Sequence, residues 1–248
     1  MRTQAFFGVH VLESESRRRP RHCAADCDYG RSVTSKIQAP WLAPTLENLT
    51  DLVLDDGEVV EQRTITGDVT ATSATEVEFL GSLFRAARLT GVELPGVTLR
   101  DCRFENCELS GAVLDGARLV RVEFVDCRLS GGVLSDARLD DVRFTDCRCD
   151  RLLLRMSNLK RSEFLRCDLT NAEFYESGLQ HVSLVDSDLS RADFTRARLD
   201  QVRLHGSVLA DLRGGASLRG TIIDASQILP MGLVALDAIG VVIDDDRE

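Results

Sequence analysis

From Phe79 to Leu209 every fifth residue is Leu or Phe, and Cys149 is the single departure among 27 positions. Two residues ahead of each runs a second series: Val77, Ser82, Ala87, Val92, Val97, Cys102, Cys107 and so on to Ser207. Its members are Ala, Cys, Ser, Val or Gly everywhere except at Leu152. A period of five fits neither the 3.6 of a helix nor the two of a long strand. Within one unit, however, residues two apart share a face of a short extended segment. The three residues between, often Asp, Arg, Ser or Gly, are of the kind that turn a chain. Each unit therefore reads as one side of a tube, a large side chain plugging the bore beside a small one.

The sequence also recurs at twenty. Residues 122–130 read VEFVDCRLS and residues 142–150 read VRFTDCRCD. Four units closing one coil would place residues twenty apart directly above one another. Phe84, Phe104, Phe124, Phe144 and Phe164 then form one inner stack, and Phe174 with Phe194 begins a second on another side. The units GAVLDGARLV, DARLD, CDLTN and ADFTR resemble those of the pentapeptide-repeat family, over about 135 residues without an insertion. The resemblance implies an all-β solenoid, the right-handed quadrilateral β-helix, with a short C-terminal helical cap. About seven coils at roughly 4.8 Å each give a length of about 30 Å.

Four segments follow. Residues 1–36, with ESESRRRPR, read as a leader that is either disordered or upstream of the genuine start. Residues 37–76 form an N-terminal cap and irregular first coils: IQAPWLAPTLENL packs as an extended piece on the first coil. Val59 and Val69 fall in phase, whereas Thr64 and Ala74 do not suit a Leu/Phe position. Residues 77–213 are the β-helix. Residues 214–248 are the C-terminal cap, where Asp224 and Gln227 have the spacing of a capping box before a helix that ends near Ile239 and Gly240. Pro230 and Gly232 lie inside that helix, where either residue favours a break. In the quinolone-resistance members of the family this end makes a dimer, which points to Ile228, Leu229, Met231, Leu233, Val234 and Leu236 as cap or dimer contacts.

The net charge of −10 sits at the ends: segments 1–36, 37–76, 77–213 and 214–248 carry +3, −7, −2 and −4. Along the tube the signs alternate at intervals of twenty, in Arg103, Glu123, Arg143 and Glu163, and again in Asp101, Arg121, Asp141 and Arg161. Opposite charges across neighbouring strands stabilise stacking, so the arginines do not argue for direct nucleic-acid binding. Cys107, Cys127, Cys147 and Cys167 form a column, continued by Ser187 and Ser207. A line of thiols does not converge on one ion as a zinc site requires, and buried Cys packs as a small hydrophobe. His22, Cys23 and Cys27 lack a partner pair. No metal or cofactor is expected.

The four histidines share no spacing with a nucleophile, there is no glycine-rich phosphate loop, and a filled bore offers no interior pocket, so an enzyme is not expected. No apolar run of eighteen residues exists to span a membrane, and the N-terminus lacks a secretory pattern, which places the chain in the cytoplasm. Two outer surfaces stand out. Val113, Val133 and Leu153 form an outward apolar strip, a contact surface or simply tolerated aliphatics. Asp168, Glu173, Glu176, Asp186 and Asp188 occur in 167–190 without any Lys or Arg. The functional expectation is a non-enzymatic scaffold for an unidentified protein partner. The alternative, implied by the family resemblance, is a DNA mimic that binds DNA gyrase and gives quinolone protection.

Overall fold

The computed structural model describes residues 37–71 and 73–242, all within one compact unit. The reading of residues 1–36 as a leader lies outside the described residues.

The chain turns a corner every five residues. Each fifth position from Glu76 to Asp211 has positive φ, between 48° and 75°. Gly, Asn or Asp fills sixteen of these 28 corners, the residue types for which a left-handed backbone costs least. Between corners the backbone is extended, and every coil hydrogen-bonds in parallel with the next. Four walls result, here numbered by their central residues: wall 1 carries Leu99, wall 2 Phe104, wall 3 Leu109 and wall 4 Leu114. Walls 1 and 2 share continuous strands through their common corner, as in Thr98–Glu105, Arg118–Val125 and Arg138–Thr145.

The bore is filled. On wall 2 Phe84, Phe104, Phe124, Phe144 and Phe164 lie face over face, with ring centroids 4.1–4.7 Å apart and planes within 15°. Phe174 meets Phe164 edge-on at 6.5 Å and stacks on Phe194 at 4.7 Å on wall 4. The two exceptions to the sequence pattern compensate each other. Cys149 gives up the volume of a central Leu, while Leu152 on the same coil fills the space above Gly132, and both are fully buried.

The ladder on wall 2 runs Leu49, Ile65, Phe84, Phe104, Phe124, Phe144, Phe164, Leu184 and Leu204, about eight turns. The regular winding thus begins earlier than the period of five suggests, because of a one-residue slip. Ile65 pairs with Phe84, nineteen residues on, but Gly67 pairs with Ala87, twenty on. At Val60 and Ile65 the inward position is moved by one, whereas Leu54 and Leu49 are again in phase because the first coil is shorter, Leu49 pairing with Ile65 sixteen residues on. Val60, not Val59, sits beneath Phe79, and Val59 points to solvent. Ala74 is buried in a central position despite its size.

Two further expectations are refined. The segment 37–49 joins the first coil at its end, where Glu47–Leu49 pair with Arg63–Ile65, and before that it runs along the corner between walls 1 and 2, its Gln38 and Trp41 amides bonded to Asp141 and Asp101. At the other end Asp224 and Gln227 do form a capping box, but on a single 3-10 turn, Ala225–Gln227. The α-helix proper, α1, spans Ile228–Ala238. Pro230 therefore falls in its first turn, where a missing N–H removes no helical bond.

Candidate functional site

With the bore closed, everything available to another molecule is on the walls and ends. The charged columns pair as the alternation predicts. Arg103 and Arg143 bracket the nearly buried Glu123 at 3.0 and 3.2 Å, and Arg143 reaches on to Glu163 at 2.9 Å. At the corner of walls 1 and 2 Arg121 grips both oxygens of Asp101 at 2.6–2.7 Å, and Arg161 both oxygens of Asp141 at 2.9–3.0 Å. Burial pushes these two carboxyls up. The two-pronged guanidinium bonds, the strap amides and the nearby positive charges outweigh it and hold both below the usual carboxylate range.

The acid-rich stretch does not form one wall. Asp168 and Asp188 stack on wall 3, Glu173 lies on wall 4, Glu176 at the corner of walls 4 and 1, and Asp186 at the corner of walls 2 and 3. Neighbouring coils supply the cations that the local sequence lacks: Arg155 pairs with Glu173 and Arg196 with Glu176. Asp168 and Asp188 also accept from the amides two residues on, at 3.0 and 2.9 Å. Val113, Val133 and Leu153 do stack outward on wall 4, half-buried, between Glu93 and Glu173. Their strip is three coils long, and the strap that binds Asp101 and Asp141 lies on a different edge.

The thiol column is packed as structure. Each of Cys127, Cys147 and Cys167 bonds through sulfur to the carbonyl two residues before it and to a Phe carbonyl of the coil below. Burial pushes the Cys102 thiol up to about 12. Among the described residues six cysteines are free and buried, and no group of three His, Cys, Asp or Glu side chains could hold a metal ion. No helix among those residues is long and apolar enough to cross a membrane.

The C-terminal end breaks the repeat, as the loss of the Leu/Phe series after Leu209 leads one to expect, and carries a groove that the spacing does not show. At Gly214 the register is left: the position above Phe194 has no side chain, and a Cβ there would lie 2.3 Å from the Thr195 amide. The chain crosses the end, and buried Gln227 stands in for the coil that is absent, its side-chain amide donating to the carbonyls of Leu204 and Ser207. Helix α1 then divides the six expected contact residues. Val234 is buried, Met231 packs on the core and Leu236 is half-buried, while Ile228, Leu229 and Leu233 face outward. Between α1 and the last coil lies a groove of about 800 Å³.

A family model described as a pentapeptide repeat region matches residues 97–160 and 157–211. Among solved structures the chain is similar to full-length QnrB1, a plasmid-mediated fluoroquinolone resistance protein, at 18% identity, covering 79% of this chain and 100% of that one with a TM-score of 0.44. It is also similar to HetL, a pentapeptide repeat protein involved in heterocyst differentiation regulation from the cyanobacterium Nostoc sp. strain PCC 7120. That likeness is at 20% identity over 71% of this chain and 89% of that one, TM-score 0.36. A third, Rfr23 from the cyanobacterium Cyanothece 51142, agrees at 15% over 57% and 91%, TM-score 0.20. No curated protein matches the chain.

Proposed function

Because the chain is a pentapeptide-repeat protein with a β-solenoid of about eight turns, we propose that it is a non-enzymatic scaffold that presents its outer walls to a protein partner. The observation that carries this reading is the filled bore: both inward positions of each five-residue unit are spent on packing, and the side chains left to meet another molecule lie on a rigid outer lattice. On that lattice most charges are engaged with each other, and the stacked aliphatics of wall 4 supply the apolar area that contact surfaces use. The free buried thiols suit a reducing compartment, so the cytoplasm is the proposed location.

Affinity isolation of the tagged chain from its native cells tests the scaffold. Val133→Asp is expected to leave the melting temperature within a few degrees and to deplete the captured partner; unchanged capture by that variant would remove wall 4 from the reading. The gyrase alternative requires a sustained acidic wall, whereas the acids here are split between walls and partly paired. A supercoiling assay with and without a fluoroquinolone separates the two. The scaffold reading expects neither inhibition nor protection at micromolar protein, and either effect would favour the DNA mimic.

A further inference from the structure

The last coil ends in an unfinished sheet edge. One coil earlier, the Leu189 amide donates to Val208 at 2.9 Å and the Arg191 amide to Ala210 at 2.8 Å. Above them the corresponding amides of Leu209 and Asp211 donate to nothing among the described residues. The chain that would have continued the ladder has turned into helix α1. These two N–H groups are two residues apart on the open edge, Leu209 on wall 3 and Asp211 at the corner that ends it, and two residues is the spacing at which a strand presents successive carbonyls.

The groove beside that edge is apolar. Val208, Ala210 and Leu212 line it from the coil, and Leu229, Pro230 and Leu233 from α1. Val208, Leu229 and Leu233 are about half exposed or more. Its volume of about 800 Å³ is in the range of a cleft that encloses a ligand. Two carboxylates also line it, Asp211 from the coil and Asp237 from the helix, and neither makes an ion pair among the described residues, while the one cation of the lining, Arg213, is turned to Asp193 at 3.6 Å. An apolar slot with free edge amides and two acids that its own arginine does not pair asks for three things together: main-chain carbonyls in extended geometry, aliphatic side chains, and a positive charge.

We propose that this groove binds an extended apolar segment of a partner protein, flanked by a Lys or Arg, which adds to the last coil as a further parallel strand. The proposal deepens the scaffold reading, on which it rests, by naming the chemistry of one partner element and placing it at the end of the solenoid instead of on wall 4.

The test pans a random decapeptide phage library on the full-length protein and measures the enriched peptides by fluorescence anisotropy. Enriched sequences should combine alternating aliphatic residues with a Lys or Arg. Joint Asp211→Asn and Asp237→Asn substitution should weaken their binding at least tenfold, as should Leu233→Glu. Hydrogen exchange supplies the readout specific to a strand: the Leu209 and Asp211 amides should slow at least tenfold on addition of peptide. Three results would overturn the proposal: no enrichment, binding that leaves those two amides unprotected, or protection without peptide that grows with protein concentration. The last would mean that a second copy fills the groove. None of these affects capture through Val133, so failure here is distinguishable from failure of the scaffold.

Discussion

The backbone amide of Gln38 donates to the Asp141 carboxylate at 3.2 Å, joining residues 103 apart in the chain. Three residues later the Trp41 amide donates to Asp101 at 3.1 Å. Three extended residues span roughly 10 Å, the height of two coils at about 4.8 Å, which is the separation of Asp101 and Asp141 along their column. The strap is thus matched in length to the repeat.

Its grip depends on charge. Both carboxyls are held below the ordinary range in the fold, so their contribution is complete above the unfolded value of about 3.9 and is lost as pH falls through the lower folded values. Trp41 is the single tryptophan, so its fluorescence anisotropy reports the strap directly. Anisotropy should hold from pH 7 to about 5 and fall in stronger acid. Joint Asp101→Asn and Asp141→Asn substitution should lower it already at pH 7 and cost about 1–2 kcal/mol. An unchanged pH 7 anisotropy in that variant would mean that the grip on the strap does not depend on the charge of these two side chains.

Phe124 lies between Phe104 and Phe144, each 4.7 Å away, and is buried. Truncation leaves a cavity that rigid backbone ladders on both sides cannot close. Phe124→Ala should destabilise by about 3–5 kcal/mol in urea unfolding. A loss below 1 kcal/mol is incompatible with a stacked interior.

How much of this was legible follows from what repeats. Large and small side chains recur at fixed intervals because the bore is uniform, so the Phe stack, the thiol column and the Arg103–Glu123–Arg143 ladder could be read from spacing alone. Single events could not. The slip at residue 66 breaks the count, which is why Val59 looks inward while Val60 is. The bond from Gln38 to Asp141 uses a backbone amide, which leaves no mark in residue type. Two acids of 167–190, Glu173 and Glu176, look unpaired in the sequence because their partners Arg155 and Arg196 sit about one coil away along the chain. The break in register at Gly214 shows in the spacing, because Gly stands where a Leu or Phe is due, but the groove depends on where helix α1 folds back beside the last coil, which no spacing gives.

Met156 occupies a corner at φ 57° and is about half exposed. A left-handed backbone costs an ordinary residue about 1–2 kcal/mol, and Asn, whose short side chain can bond locally, bears less of it. Met156→Asn should therefore stabilise by about 0.5–1 kcal/mol, seen as a higher melting temperature. A lower one would show that Met156 makes contacts worth more than its corner strain.

Gln227 is the last donor in the ladder, satisfying the Leu204 and Ser207 carbonyls in place of a coil. Gln227→Ala leaves the buried Ser207 carbonyl unpaired and the Leu204 carbonyl with the Ser207 amide as its remaining donor, at a cost of about 1–3 kcal/mol. Because each coil touches only its neighbours, the damage should stay at that end. Amide exchange should quicken across residues 202–213 and remain unchanged around Phe104 and Phe124. Gln227→Glu gives a sharper contrast: its carboxylate cannot donate at neutral pH and faces the same two carbonyls, so it should destabilise more than Ala and recover in part on acidification. Equal stability of the Ala and Glu variants across pH would show that water, not Gln227, closes the end of the tube.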